Sequence, residues 1–102
     1  MISKHYQQTR NQREKTIHRY CNGDGHVIDK FIIDRGHKNG IEIHSVTDTG
    51  IIIIHNQSTG KLITKLVARP KQIERYYVNV GKAVPRWLFE LAKWHQELGY
   101  NR

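Results

Sequence analysis

Hydrophobic positions along this chain fall into three regimes. Between residues 26 and 67 they come as short runs rich in β-branched side chains: "HVIDKFIID" (26–34), "IEIHSVT" (41–47), "GIIIIHN" (50–56) and "KLITKLV" (61–67). Their length and composition predict four strands. Turn-forming residues separate them. "RGHKNG" (35–40) carries the Asn39-Gly40 hairpin signal, and Thr47-Asp48-Thr49-Gly50 and Gln57-Ser58-Thr59-Gly60 make the next two connections. Three hairpins in succession predict an antiparallel meander.

Beyond residue 67 the period lengthens. Pro70 stops the last strand and can open a helix, because the first helical position needs no N–H. A short helix is predicted over 70–80, ending near Gly81. Pro85 opens a second, in which Trp87, Leu91, Trp94 and Leu98 recur at i, i+4, i+7 and i+11, with Leu88, Ala92 and His95 beside them and Gly99 as a stop. That stripe is expected to seat on the sheet. Residues 1–20 are polar, with a weak helical stripe of Tyr6, Thr9 or Arg10, Arg13 and Ile17, and 21–25 reads as a loop. The fold class is therefore α+β: an N-terminal arm or helix (1–20), a four-stranded antiparallel meander (26–67) and two C-terminal helices (70–99), all in one domain spanning 1–102.

Charge adds a partner to this picture. The chain of 102 residues carries 17 Lys and Arg against 9 Asp and Glu, a net +8. The arm holds Lys4, Arg10, Arg13, Lys15 and Arg19 against Glu14 alone. Such a surplus suits a polyanion, most often a nucleic acid, because neutralised phosphates supply non-specific affinity.

Other features subtract function classes. The single cysteine, Cys21, excludes an internal disulfide and a CxxC site. Ile51–Ile54 is too short to span a bilayer, and the first residues lack the apolar core of a secretory signal, so a cytoplasmic protein with no membrane partner is expected. Seven histidines show neither HxxxH nor HExxH spacing, so neither metal nor cofactor is expected. "STGK" is too short for a phosphate loop and sits in a hairpin, and no GxSxG elbow is present.

Strand alternation then groups the polar residues. With Asp48-Thr49 as a two-residue turn, Thr47 pairs with Gly50, Glu42 faces His55 and His44 faces Ile53. With Gly60 in a left-handed bulge, Gln57 pairs with Lys61, His55 faces Ile63 and Ile53 faces Lys65. One face then carries Ile41, Ile43, Ile52, Ile54, Leu62, Thr64 and Leu66. The other gathers Glu42, His44, His55, Lys61 and Lys65 around Ile51, Ile53, Ile63 and Val67, with Arg69 at its rim. A wet sheet face would look similar, but it would not carry that apolar floor.

Such a face can cleave RNA without metal. Imidazole titrates near neutrality, so His44 beside Glu42 can act as base and His55 or Lys65 as acid. Arg69 can hold the phosphate. Thr47, Lys61, Gln72, Arg75 and Tyr76 are the expected nucleic-acid contacts, with Tyr76 or Tyr77 stacking on a base and Arg10 and Arg13 tracking phosphates from the arm.

The segment "EIHSVTDTGIIIIHNQSTGKLITKLVARPKQIERYY" (42–77) resembles small proteins of phages and mobile elements that are similar to the barnase–EndoU–colicin–RelE group of ribonuclease folds. The likeness rests on "H-x-x-T", "TGKLIT" and "ARP-x-Q". It implies a helix-flanked antiparallel sheet whose open face cuts RNA, with His44, Thr47, Arg69 and Gln72 or Tyr76 at the site. The expected function is a toxin-like, metal-independent endoribonuclease. The rival is a non-catalytic phage or mobile-element module that binds nucleic acid or a host nucleoprotein complex. RNA is expected ahead of DNA, alongside an immunity or host protein partner, and the second helix offers a route to a homodimer.

Overall fold

The computed structural model describes residues 15, 17, 21, 23–36 and 40–100. Strands β1 (Val27–Asp34), β2 (Ile41–Thr47), β3 (Ile51–Asn56) and β4 (Leu62–Val67) form one antiparallel sheet in the order β1-β2-β3-β4. Helices α1 (Pro70–Asn79) and α2 (Arg86–Glu97) follow. This is the α+β meander expected from the sequence. Most of the 1–20 arm, with Arg10 and Arg13, lies outside the described residues, as does Asn39 in the first turn; Lys15 and Ile17 are helical.

The register of β2 on β3 differs from expectation by one residue. Glu42 pairs with Asn56, Ile43 with His55, His44 with Ile54 and Val46 with Ile52. The cause is the turn. Gly50 adopts φ +81° and its N–H reaches the Thr47 carbonyl at 3.1 Å. A two-residue hairpin turn of the favoured kind would need positive φ at its central residues, which β-branched Thr49 resists. The chain instead uses three connecting residues, with the left-handed position on glycine.

On the other side of β3 the expected Ile53–Lys65 pairing holds, although the path to it differs. Asn56 and Lys61 close the loop (Asn56 N–H to Lys61 O, 2.9 Å), His55 pairs with Leu62, and a bulge between Ile54 and His55 restores the register.

A one-residue slip sends every side chain of β2 to the other face. One face of the sheet therefore carries His44 together with Phe31, Val46, Ile52 and Ile54, and these four apolar residues pack with Ala68, Ile73 and Tyr77 of the α1 region and Leu88 and Ala92 of α2. The opposite face carries Ile51 and Val67, packed with Ile17 and Cys21 and flanked by Ile53 and Tyr100. The sheet thus has apolar clusters on both sides.

Helix α2 also turns differently from the expected stripe. Leu88, Ala92 and His95 face inward, while Trp87 and Trp94 remain half exposed. Small Ala92 at the centre of the contact permits close approach of the helix, which a tryptophan there would block. No helix among the described residues is long and apolar enough to cross a membrane.

Candidate functional site

A cluster of hydrogen-bonded side chains lies where β2 passes beneath α1. Glu42 and His44 are two residues apart on one strand and so share a face. Tyr76 comes down from α1, whose buried residues Pro70, Ile73 and Tyr77 fix its rotation. Tyr76 stacks on Phe31 (ring centroids 5.0 Å apart, planes at 13°) and meets the His44 ring edge-on at 5.5 Å. Arg35, just past β1, completes the group.

A hydrogen-bonded chain runs through these side chains. His44 Nε2 lies 2.9 Å from Glu42 Oε1, and His44 Nδ1 lies 2.5 Å from the Tyr76 hydroxyl. Arg35 Nε donates to the same Glu42 oxygen at 3.0 Å. An ionised carboxylate can only accept, so neutral His44 carries its proton on Nε2 and Tyr76 donates to Nδ1.

The charges around the chain fit this assignment. Burial raises the Glu42 carboxyl, but hydrogen bonds from His44 and Arg35, with the Arg35 charge, outweigh it and hold Glu42 below its ordinary value. Burial pushes the Tyr76 phenol up to about 12; the charges of Arg35 and Arg75 pull against that and Glu42 adds to it. Tyr76 is thus a proton-bearing group at neutral pH.

A second cluster sits farther along the same helix. The Tyr77 hydroxyl donates to Asp29 Oδ2 at 2.5 Å, and Lys82 Nζ reaches Asp29 Oδ1 at 3.2 Å. Burial, then the hydrogen bond to Asp29 and its charge, raise the Tyr77 phenol. Phe31 joins the clusters, stacked on Tyr76 and edge-on to Tyr77 at 5.0 Å.

The sequence-expected site is divided by this geometry. Glu42 and His44 share the helix-covered face with Tyr76. His55 pairs with Ile43, and Lys65 with Ile53, on the opposite face, so neither meets His44. The expected base–acid pair of His44 with His55 or Lys65 is overturned by the β2–β3 register. Lys65 instead binds Asp24 at 2.7 Å.

Thr47 is fully buried, so the expected nucleic-acid contact there is also corrected. Its hydroxyl accepts the Ile51 N–H at 3.2 Å and lies 3.0 Å from the Thr49 hydroxyl. Arg69 caps the start of α1, where its N–H is held by Gln72 Oε1 at 2.9 Å. Lys61 and Arg75 are exposed.

Arg35 was missed from sequence, yet a signal existed. Ile33 pairs with Glu42, so an arginine two positions beyond Ile33 has the parity of the Glu42 face and diagonal reach to it.

Among the described residues no group of three or more His, Cys, Asp or Glu side chains is placed to hold a metal ion. No protein-family model matches the chain, and no curated protein or solved structure matches it significantly.

Proposed function

We propose that this protein acts on RNA, as a metal-independent cleaving domain centred on Tyr76. The observation that carries the reading is the chain Glu42–His44–Tyr76, which ends at a hydroxyl under the charges of Arg35 and Arg75. A ribose 2′-hydroxyl placed against the Tyr76 oxygen can pass it a proton while Tyr76 passes its own to His44 Nδ1. The 2′ oxygen then bonds to phosphorus and the bond from phosphorus to the 5′ oxygen breaks. Water supplies the proton to the leaving 5′ oxygen. Arg35 and Arg75 offset the charge that builds on the phosphate, and Glu42 offsets the charge on His44. The products are a 2′,3′-cyclic phosphate and a 5′-hydroxyl. His44 and Glu42 are positioning residues here, and Tyr76 is the one that touches substrate.

A second reading, binding without cleavage, has its own observation. His44 is 2% exposed with both ring nitrogens engaged, while Asp24, Asp29 and Glu42 are held by Lys65, Lys82 and Arg35. These three acids are paired internally, and exposed Lys61, Lys71 and Arg75 lie outside the ion pairs among the described residues, as cations for phosphates.

Labelled single-stranded RNA incubated in EDTA with the wild type and with Tyr76→Phe separates the two. Cyclic-phosphate ends from the wild type, reduced about a hundredfold in Tyr76→Phe with an unchanged gel shift, support cleavage through the hydroxyl. Intact RNA with a salt-sensitive shift moves the function to binding. Neither cleavage nor shift ends both readings.

A further inference from the structure

Strand β1 is an edge of the sheet: among the described residues its one strand neighbour is β2. It is long for an edge, at eight residues, and its outward apolar side chains are exposed, with Ile32 at 67% and Val27 at 46%. Open edges of this kind invite another strand, and proteins usually blunt them with charge or bulges. Here the bulge lies at the start of the strand, between Val27 and Asp29, leaving residues 29–34 regular. On the face that carries Ile32 the charges of that regular part are Lys30 and Asp34, of opposite sign and spaced symmetrically about Ile32, while Asp29 lies on the other face and is bound by Tyr77 and Lys82.

That symmetry has a consequence. An antiparallel copy of β1 placed with Ile32 on a two-fold axis sets Ile32 against Ile32, and Lys30 of each copy against Asp34 of the other. Paired residues of antiparallel strands share a face, so both contacts form on the same side of the joined sheet. The most exposed large apolar residue of the strand is then flanked by two opposite-charge pairs. Shifting the register by two residues in either direction loses this: Ile32 then faces Lys30 in one case and Asp34 in the other. Asp34 is exposed and uses Oδ1 to hold the Gly36 N–H at 2.8 Å; among the described residues its Oδ2 is left for a cation.

We propose that β1 is the interface of a symmetric homodimer, in which two four-stranded sheets join edge to edge into one of eight strands with Ile32 at the two-fold. A two-fold contact uses the same patch twice, so the patch must be complementary to itself, and the charge pattern of β1 meets that condition. The occupant is a second copy of this chain. The proposal is independent of the reading of Tyr76.

Sedimentation equilibrium of the full chain over a wide concentration range tests it. Wild type is expected to show a monomer–dimer equilibrium. Lys30→Asp places carboxylate against carboxylate twice and is expected to weaken the dimer about tenfold or more. Combining it with Asp34→Lys restores opposite charges and is expected to recover the dimer. Ile32→Cys is expected to give a disulfide-linked dimer on mild oxidation, while Val27→Cys, at the strand end, is not. A monomer at every concentration overturns the proposal. So does a dimer indifferent to Lys30→Asp, which would place the contact elsewhere. A charge swap that fails to restore what the single change removed overturns the register about Ile32.

Discussion

His44 and His95 are both 2% exposed, yet they sit in opposite chemical surroundings. His44 lies mid-strand under α1, with a carboxylate on one ring nitrogen and a phenol on the other. His95 lies near the end of α2 against the β2–β3 turn, and its Nδ1 has no hydrogen-bond partner among the described residues. Its neighbours are Trp94 and Tyr100, with ring centroids at 5.5 and 5.8 Å, and Gly50. A Cβ on Gly50 would stand 3.1 Å from the His95 ring, so glycine serves there both the turn's positive φ and the ring's approach. Equal burial therefore accompanies different work. His44 is a polar link that specifies where Tyr76 and Glu42 sit. His95 is an aromatic spacer that keeps its charge off.

The same substitution at both positions tests this contrast most strongly. Phe keeps an aromatic ring and removes both nitrogens. At position 44 it leaves the Tyr76 hydroxyl and the Glu42 carboxylate short of a partner, so His44→Phe is expected to cost roughly 2–4 kcal/mol. At position 95 it removes an unpaired polar atom from an apolar site, and His95→Phe is expected to lie within about 1 kcal/mol of wild type, on either side. Urea unfolding at pH 7.5 reads both. Equal costs at the two sites would erase the distinction.

Acid sharpens it next. Burial holds the His95 imidazole below its ordinary value of 6.5. The unfolded chain therefore takes up this proton first as pH falls. Stability from His95 is whole above about pH 6.5 and is lost as pH drops from there through the folded value, by at most about 1.4 kcal/mol per pH unit for one proton. Glu42 acts in a lower window. Its folded value is lowered, so its contribution is whole above the ordinary 4.5 and is lost as pH falls below that. His95→Phe should flatten the stability–pH curve just below pH 6.5 and leave the lower, Glu42 limb in place. A wild-type curve already flat over that upper interval would mean the ring is hydrated or paired.

How much of this was legible follows from which force decides each feature. The four strands and the meander were readable because "FII", "IEI", "IIII" and "LIT" are β-branched runs and every gap between them holds a turn residue. Both helices announced themselves through Pro70 and Pro85. The face assignment was not readable, because it hung on whether Thr47-Asp48-Thr49-Gly50 connects with two residues or three. Both lengths suit the composition, and one residue exchanges Glu42 and His44 with Ile41 and Ile43. The rotation of α2 was misread for a related reason: tryptophans at i and i+7 look like a core stripe, but Ala92 supplies the closer helix contact. Tyr76 and Tyr77 are neighbours in sequence that serve different polar clusters, and only the packing of Ile73 and Phe31 distributes them.

The smallest expected effect belongs to a third imidazole. His55 is half-buried near the end of β3, paired with Ile43 and Leu62 on the face away from α1. No carboxylate or phenol is bonded to it among the described residues, and truncating a side chain of this kind usually changes stability by no more than about 0.5 kcal/mol. His55→Ala should therefore unfold in urea like the wild type and cleave RNA at the wild-type rate, while His44→Phe and Tyr76→Phe do not. The weight of this small effect lies in its position. If His55→Ala folds normally and still abolishes cleavage, the chemistry lies on the opposite face with Lys65. The Glu42–His44–Tyr76 chain would then be a device for holding α1 against the sheet, with no proton to move.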